Sequence, residues 1–233
     1  MTTEQANVLR TLQAGVARQV REELDAFFGS LNLEKPEAVR DALLRYVPLL
    51  VRSFGEGAAS VAADWYDEVR AGADIPGRFR AQVADPVEQF RVERIVRFSA
   101  QYLFTGAAAL TLPSLLAPVE RYVVEPSRLT IVGATTKDPR ASGWYRRARA
   151  TGCRFCKTLA TKGVYKYDAD FAAHNDCGCV AVPSWDPNAP EVDVRAYEAS
   201  RYTGGMSPRE KAEHNAKVRD WVDSTFPPDE QPN

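Results

Sequence analysis

Hydrophobic residues recur three and four positions apart along most of the first 135 residues. Over residues 4–28 they include Leu9, Val16, Val20 and Leu24, and this spacing places them on one face of an α-helix. The same spacing predicts further helices over residues 36–72, about 86–104 and 115–135. We therefore predict a helical N-terminal body that extends over residues 1–137.

Helix-breaking residues interrupt this pattern at several points. Pro48 should kink the second helix, because a proline ring removes a backbone donor and clashes with the preceding turn. Gly55 and Gly57 are expected to break or bend the same helix again. No alternation of apolar and polar residues is evident before Val164, so a short helix over residues 140–150, and no strand, is predicted to lead into the cysteine-rich segment.

The composition changes after Pro183, where the sequence becomes proline-rich and polar. Residues 184–233 are predicted to be a linker, one short helix over 207–223 and a flexible tail from 226 onward. The predicted fold class is therefore mainly α. A kinked multi-helix body precedes a small zinc-knuckle module at 138–183, which has short β and turn elements, and an extended C-terminal tail follows.

Charge and hydropathy exclude several classes of protein. The formal net charge is −1, so the whole chain is not a polycation of the kind that coats nucleic acids. No apolar run approaches the roughly 20 residues that cross a bilayer, and the polar N-terminus resembles neither a secretory signal nor an acyl anchor. We expect a protein made in the cytoplasm, where reducing conditions disfavour structural disulfides, and no membrane partner.

All four cysteines of the chain lie between residues 153 and 179, together with one of its two histidines. The pattern is a CxxC pair, a spacer of 17 residues (157–173) and then HxxCxC. Such spacing is typical of a structural zinc site, in which four nitrogen or sulfur ligands surround the ion. The five candidate ligands are Cys153, Cys156, His174, Cys177 and Cys179. Zinc needs four, so one is expected to be spare. The sequence leaves open whether the spare residue is His174, Cys177 or Cys179.

Other interpretations of the cysteines are weaker. The main alternative is two disulfides or four reduced cysteines. A thioredoxin-like CxxC expects a preceding strand in a βαβ unit, which the pattern does not predict. The order of ligands also differs from that of zinc deaminases, and the sequence has no HExxH, GxSxG or phosphate-binding glycine loop. We therefore expect a protein that is not an enzyme and has no small-molecule substrate.

The predicted module is basic, with nine lysines and arginines against three aspartates between Lys137 and Asp170. Basic residues near aromatic ones could contact nucleic acid or an acidic partner. The alternative is that the aromatics pack beneath the zinc site while the arginines pair with acidic helices. The candidate contact residues are Arg146, Arg147, Arg149, Arg154 and Lys157.

Three stretches resemble a known family. They are the WYDEVR sequence at 65–70, the GWYRR sequence at 143–147, and the cysteine segment with its flanking GVY and VP sequences. Together they resemble the MuF-like minor head proteins of tailed bacteriophages, in the form found in phages of actinobacteria, over roughly residues 1–185. The cysteine segment is the most specific of the three.

The resemblance implies a structural virion protein that is present in the host cytoplasm during assembly and in the capsid thereafter. Its location would be the capsid interior near the portal vertex. Its implied partners are the portal or the major capsid protein, and packaged DNA is a further candidate. The implied roles are head assembly and DNA packaging or ejection. A zinc-dependent nucleic-acid-binding protein is the alternative that the basic module leaves open.

Overall fold

The structure is a computed structural model that describes residues 3–160, 163–166 and 169–226. These residues are mainly helical, with one small antiparallel sheet, which confirms the predicted fold class. The α-helices are α1 (Thr3–Gly29), α2 (Pro36–Gly72), α3 (Gln89–Ala100), α4 (Thr111–Lys137), α5 (Arg154–Leu159), α6 (Val194–Ser200) and α7 (Pro208–Thr225). The strands are β1 (Gly143–Arg147) and β2 (Val180–Ser184). Residues 227–233, which make up most of the predicted flexible tail, lie outside the described residues.

The long N-terminal helices follow the predicted pattern closely, but α2 differs in one respect. It continues through Gly55 and Gly57, so the predicted break there is wrong. A Cβ atom at Gly55 would lie 3.3 Å from the Cγ atom of Pro126 in α4. The glycine therefore allows α2 and α4 to approach closely, and it does not end the helix.

The predicted helix over residues 140–150 is wrong, because this segment contains strand β1. Strand β1 pairs antiparallel with β2, so that Gly143 lies opposite Ser184 and Arg147 opposite Val180. Gly143 has a φ of 136°, and a Cβ atom there would overlap the carbonyl of Tyr165. The segment thus needs an extended backbone in close contact with its neighbour, which a helix could not provide.

Part of the predicted C-terminal linker is folded against the rest of the protein. Helix α6, which was not predicted, begins where the carboxylate of Asp193 accepts a hydrogen bond from the Arg195 amide, and it buries Ala196 and Ala199. Helix α7 confirms the predicted short helix, and Ser207 and Glu210 form a capping box at its start.

Two hydrophobic clusters share the long helices. The helical core is formed by α1–α4 and the 3₁₀ segment after α3, and its fully buried members include Val20, Leu24, Leu43, Val47, Val51, Val96, Leu115, Val119 and Val123. The mixed core joins the other halves of α1, α2 and α4 to the strands and short helices, and it includes Tyr66, Ile131, Trp144, Tyr165, Val180 and Val182. The mixed core crosses the predicted boundary at residue 137, and independent folding of the segments on either side stays a prediction.

A buried carboxylate holds this boundary in place. Asp138, directly after α4, accepts hydrogen bonds from Tyr66 Oη at 3.0 Å, Arg70 Nε at 2.8 Å and Trp185 Nε1 at 3.2 Å. Burial opposes ionisation, but the hydrogen bonds from Arg70 and its neighbours outweigh it and lower the pKa of Asp138. Two residues of the WYDEVR stretch thus connect α2 to the start of the cysteine-rich region.

Candidate metal centre

Short elements bring the five candidate ligands together from two stretches of chain. Cys153 precedes α5 as its N-cap residue, and Cys156 lies one helical turn later, so the two side chains share a face. His174 and Cys177 lie in the loop that leads to β2, and Cys179 directly precedes that strand. The structure therefore places the five predicted residues in two adjoining groups that share Cys156.

The donor atoms lie at separations that suit a common metal ion. The Nε2 atom of His174 is 3.2 Å from Cys153 Sγ and 3.0 Å from Cys156 Sγ, and the Sγ atoms of Cys156 and Cys177 are 3.7 Å apart. Among the described residues, two groups have donor atoms that all lie within 4.8 Å of one another. The first group is Cys153, Cys156 and His174. The second is Cys156, Cys177 and Cys179, so Cys156 belongs to both.

These separations can be compared with those of a tetrahedral zinc site. Two thiolates bound at about 2.3 Å lie about 3.8 Å apart, and a thiolate and an imidazole lie about 3.5 Å apart. The distance between Cys156 and Cys177 matches the first value, and the distances to His174 are slightly shorter than the second. The donor set of thiols and an imidazole also suits zinc better than a hard cation such as Mg²⁺.

The imidazole of His174 is oriented for metal binding. Its Nδ1 atom lies at hydrogen-bonding distance from the backbone carbonyl of Asn175, and donation to that carbonyl leaves Nε2 with a free lone pair. The Nε2 atom is the one that faces both cysteines of the CxxC pair. The ring of Phe155 packs edge-on against the imidazole, with 6.2 Å between ring centroids.

Five arginines hold the ligand-bearing loop through its backbone carbonyls. Arg128 in α4 donates to the carbonyls of Cys177 at 2.5 Å and Cys179 at 3.1 Å, and Arg10 in α1 donates to that of Gly178 at 3.1 Å. Arg121 donates to the carbonyl of Ala173, Arg146 to that of Ala172 and Arg149 to that of Asp176. The loop lacks regular secondary structure, and these bonds satisfy carbonyls that a helix or sheet would otherwise satisfy.

The close approach of the thiols perturbs their ionisation. A hydrogen bond between Cys156 and Cys177 lowers the pKa of Cys177 and raises that of Cys156. The charge of Arg128 lowers the pKa of Cys177 further. The hydrogen bond with Cys156 also lowers the pKa of Cys179, but the one with Cys177, together with burial, outweighs it and raises the pKa to about 11. Buried thiolates this close repel one another, so a cation is needed before several of them can ionise.

One predicted surface contact is wrong. Arg146 is only 1% exposed, and its guanidinium lies 3.8 Å from the centre of the Phe171 ring while Nη1 donates to the carbonyl of Ala172. Alternation along β1 turns this residue into the mixed core, so its side chain is not available to nucleic acid or a partner.

The other predicted contacts differ in their exposure. Arg147 and Arg149 are exposed, whereas Arg154 and Lys157 are half-buried on α5. Arg154 forms an ion pair of 2.6 Å with Asp223, which joins α5 to α7. The basic residues of the module are therefore divided between solvent and internal contacts.

Sequence reasoning missed the arginines that hold the ligand loop. Arg10 lies 168 residues before the glycine that it binds, and Arg128 precedes its acceptors by 49 and 51 residues. In the sequence, Arg128 is a charged residue among the apolar positions of α4, and the structure buries it at 3% exposure. A charged residue inside an apolar helical stripe was thus the available signal.

Comparison with known proteins adds to this geometry. Among the described residues, none of the helices is both long and apolar enough to cross a membrane. Neither the curated proteins nor the solved structures contain a match to the chain. A family model with the description VG15 protein matches residues 1–203, which include the helical core, most of the mixed core and all five candidate ligands. The chain therefore belongs to the VG15 protein family, and this membership indicates a virion-associated protein of a bacteriophage.

Proposed function

We propose that the protein is a MuF-like minor head protein that works through protein contacts and is not an enzyme. Its place would be the capsid interior near the portal vertex, with the portal or the major capsid protein as partner. The family match over residues 1–203 supports a virion role, and the three stretches that resemble minor head proteins support the finer assignment. These stretches are also structurally linked, because Tyr66 and Arg70 bind Asp138 beside strand β1.

The protein is further proposed to bind one structural zinc ion through Cys153, Cys156, His174 and Cys177. The observation that carries this proposal is that His174 Nε2 lies 3.2 Å from Cys153 Sγ and 3.0 Å from Cys156 Sγ, while Cys177 Sγ lies 3.7 Å from Cys156 Sγ. Cys179 is then the spare thiol. Cys177 is preferred because its Sγ atom lies 3.7 Å from that of Cys156, whereas among the described residues neither Cys177 nor Cys179 shares a group with Cys153 and His174.

Zinc would stabilise the fold by joining two segments that bury little surface alone. Helix α5 has only 6 residues, and the loop that carries His174 and Cys177 has no regular structure. A metal bridge between them would contribute its binding free energy to folding, as in other small zinc modules. A closed set of four protein ligands also leaves no open position for a catalytic water.

Elemental analysis of the purified protein tests the zinc proposal. We expect one zinc per chain in the wild type and in Cys179→Ser, and loss of zinc in Cys156→Ser. Cys177→Ser should bind zinc more weakly than Cys179→Ser. The proposal would be wrong if the wild type held no zinc after growth with the metal, or if all three variants bound it equally.

Phage assembly without the gene product tests the virion role. We expect particles that lack this protein to show reduced DNA content or reduced infectivity, and the wild-type protein to be recovered with the portal or capsid when particles are purified. Restoring the gene in trans is the control. Normal assembly, packaging and infection without the protein would contradict the proposed role.

A further inference from the structure

A cleft of about 390 Å³ lies between α1, α4 and the loop that carries His174 and Cys177. Guanidinium groups from three separate parts of the chain line it: Arg10, Arg18 and Arg21 from α1, Arg121 and Arg128 from α4, and Arg149 from the segment before α5. Among the described residues that line it, the only acidic ones are Glu120 and Asp176. The described walls thus carry an excess of positive charge.

The acidic residues neutralise only part of this charge. Glu120 is paired with Arg21, whose Nη2 atom lies 2.5 Å from Oε1. Arg10, Arg128 and Arg149 direct hydrogen bonds to backbone carbonyls, which are neutral acceptors. Carbonyl acceptors orient a guanidinium group without cancelling its charge, so Arg10, Arg128 and Arg149 remain cationic in the cleft wall. Arg18 lies 3.9 Å from Glu22, and this exposed pair offsets its charge only weakly.

Two buried donors in the lining have no acceptor among the described residues. They are the Nη1 atom of Arg128 and the Nε atom of Arg121. Arg128 is only 3% exposed, so its unpaired N–H groups cannot be satisfied by bulk water. These donors mark unsatisfied hydrogen-bonding capacity in the wall behind the cleft, while the more exposed guanidinium groups of Arg18 and Arg21 are the ones that an entering anion meets first.

We propose that this cleft binds a phosphate-type anion with several charges, as an oligophosphate or as the phosphate groups of a nucleotide or nucleic acid. Arginines match phosphate oxygens because the planar guanidinium can donate two parallel hydrogen bonds. Several guanidinium groups around one cleft suit neighbouring phosphates better than a single carboxylate. The volume is at the lower end of the range for small-molecule sites, and a DNA duplex is too wide to enter.

Calorimetric titration of the full-length protein with sodium tripolyphosphate tests the proposal. We expect saturable binding of one anion per chain that weakens as the salt concentration rises. The double variant Arg18→Gln/Arg21→Gln should bind at least about tenfold more weakly, because it removes two cations from the rim of the cleft. Arg52→Gln is the matched control, since it removes an exposed arginine of α2 that lies outside the lining and should leave affinity unchanged.

A second variant tests the buried donor directly. Arg128→Lys keeps the charge but loses the planar donor group, and it should weaken tripolyphosphate binding in protein that retains wild-type circular dichroism. If this variant does not fold, the double variant on α1 still decides the question. Zinc content is measured for each sample, so that loss of the metal and loss of anion binding are recorded separately.

Competition identifies the source of the phosphate. Displacement of tripolyphosphate by a short single-stranded oligonucleotide would assign the cleft to nucleic-acid phosphates, and its failure to compete would assign the cleft to free oligophosphates or nucleotides. The proposal is overturned if tripolyphosphate does not bind saturably. It is equally overturned if the double variant binds as tightly as the wild type and Arg52→Gln.

Discussion

The helical core and the mixed core are stabilised in different ways, although α1, α2 and α4 pass through both. The helical core consists of aliphatic and aromatic side chains on four helices, and burial of apolar surface is sufficient to hold them. The mixed core joins strands of 5 residues and a helix of 6 residues to the long helices. Such short elements are not stable in isolation, because the apolar surface that each buries does not offset the conformational entropy lost when its backbone is ordered.

Polar groups therefore supply the missing connections in the mixed core. Asp138 joins α2 to the segment before β1, Arg128 joins α4 to the ligand loop, and the cysteines and His174 face one another across α5 and that loop. The stability of the helical core therefore depends on the amount of apolar surface that it buries, whereas the stability of the mixed core depends on a few specific contacts. Each of the following predictions tests this distinction.

The largest effect is expected for Cys156→Ser, because this residue belongs to both candidate ligand groups. We expect the mixed core to lose on the order of 5 kcal/mol or more of stability, as is typical when a structural metal is lost. Hydrogen exchange measured by mass spectrometry should show lost protection in β1 and β2, while protection at Leu43 and Val119 in the helical core persists. Treatment of the wild type with a chelator should have the same result.

Cys179→Ser is the control for this experiment, because it changes a buried thiol of the same region and keeps the four proposed ligands. Its exchange pattern should resemble that of the wild type. Equal loss of protection in both cores of Cys156→Ser would mean that the chain unfolds as one cooperative unit, and the distinction between the cores would not hold.

A smaller but still large effect is expected for Asp138→Ala. Removal of the carboxylate leaves the guanidinium of Arg70 buried without its ionic partner, and breaking such a buried pair costs about 3–5 kcal/mol. Urea unfolding should report this loss. Glu213→Ala, which breaks an exposed pair with Arg209, is the control and should change stability by less than about 0.5 kcal/mol. Equal effects of the two substitutions would contradict the role of Asp138.

The lowered pKa of Asp138 also predicts a dependence on pH. Since the folded pKa lies below the unfolded value of about 3.9, the unfolded chain takes up the proton first as the pH falls. The contribution of Asp138 is therefore complete above about pH 4 and is lost below it. Unfolding measured between pH 5 and pH 3 should show a steeper loss of stability for the wild type than for Asp138→Asn, and parallel curves would refute this.

Leu43→Ala tests the helical core. Leu43 is fully buried among aliphatic side chains, so its truncation should cost roughly 3 kcal/mol through lost burial and the resulting cavity. Zinc content should not change. Leu49→Ala on the same helix is the control, because this side chain is 67% exposed and its truncation should cost less than about 0.5 kcal/mol. Loss of zinc in Leu43→Ala would show that the two cores are tightly coupled.

The smallest effect is expected for Arg154→Gln, which breaks the ion pair between α5 and α7. Asp223 is largely exposed, so the loss of stability should be at most about 1 kcal/mol. Limited proteolysis should nevertheless cleave α7 faster in this variant than in Arg209→Gln, which changes an exposed arginine on α7 itself. Unchanged cleavage would show that apolar contacts alone hold α7 in place.

The sequence predicted the long helices because their apolar residues repeat with the period of a helix. It did not predict β1, because the inward positions of this strand are Trp144 and Arg146. An arginine at one of these positions hides the alternation of apolar and polar residues that predicts a strand. It did not predict α6, whose 7 residues follow a proline-rich segment and contain only a short apolar pattern. Local patterns thus fail where tertiary contacts determine which residues are buried.

The candidate ligands were all predicted from their spacing, because two short motifs provide the local geometry for binding one ion. The groups that position them could not be predicted in the same way. Arg10 and Arg128 act on backbone carbonyls, which every residue has, and their partners are far away in the sequence. An arginine inside an apolar helical stripe, such as Arg128, can be noted in the sequence, but no side-chain pattern identifies its carbonyl partners before the fold is known.

Helix α7 has a practical consequence for work with this protein. It begins at Pro208, after the end of the matched family segment at residue 203, yet its Trp221 belongs to the mixed core. A chain shortened to the family boundary would keep every candidate ligand but would expose the apolar surface that this tryptophan covers. Such a fragment should self-associate, so recombinant versions intended for crystallisation or binding studies should extend at least to Phe226.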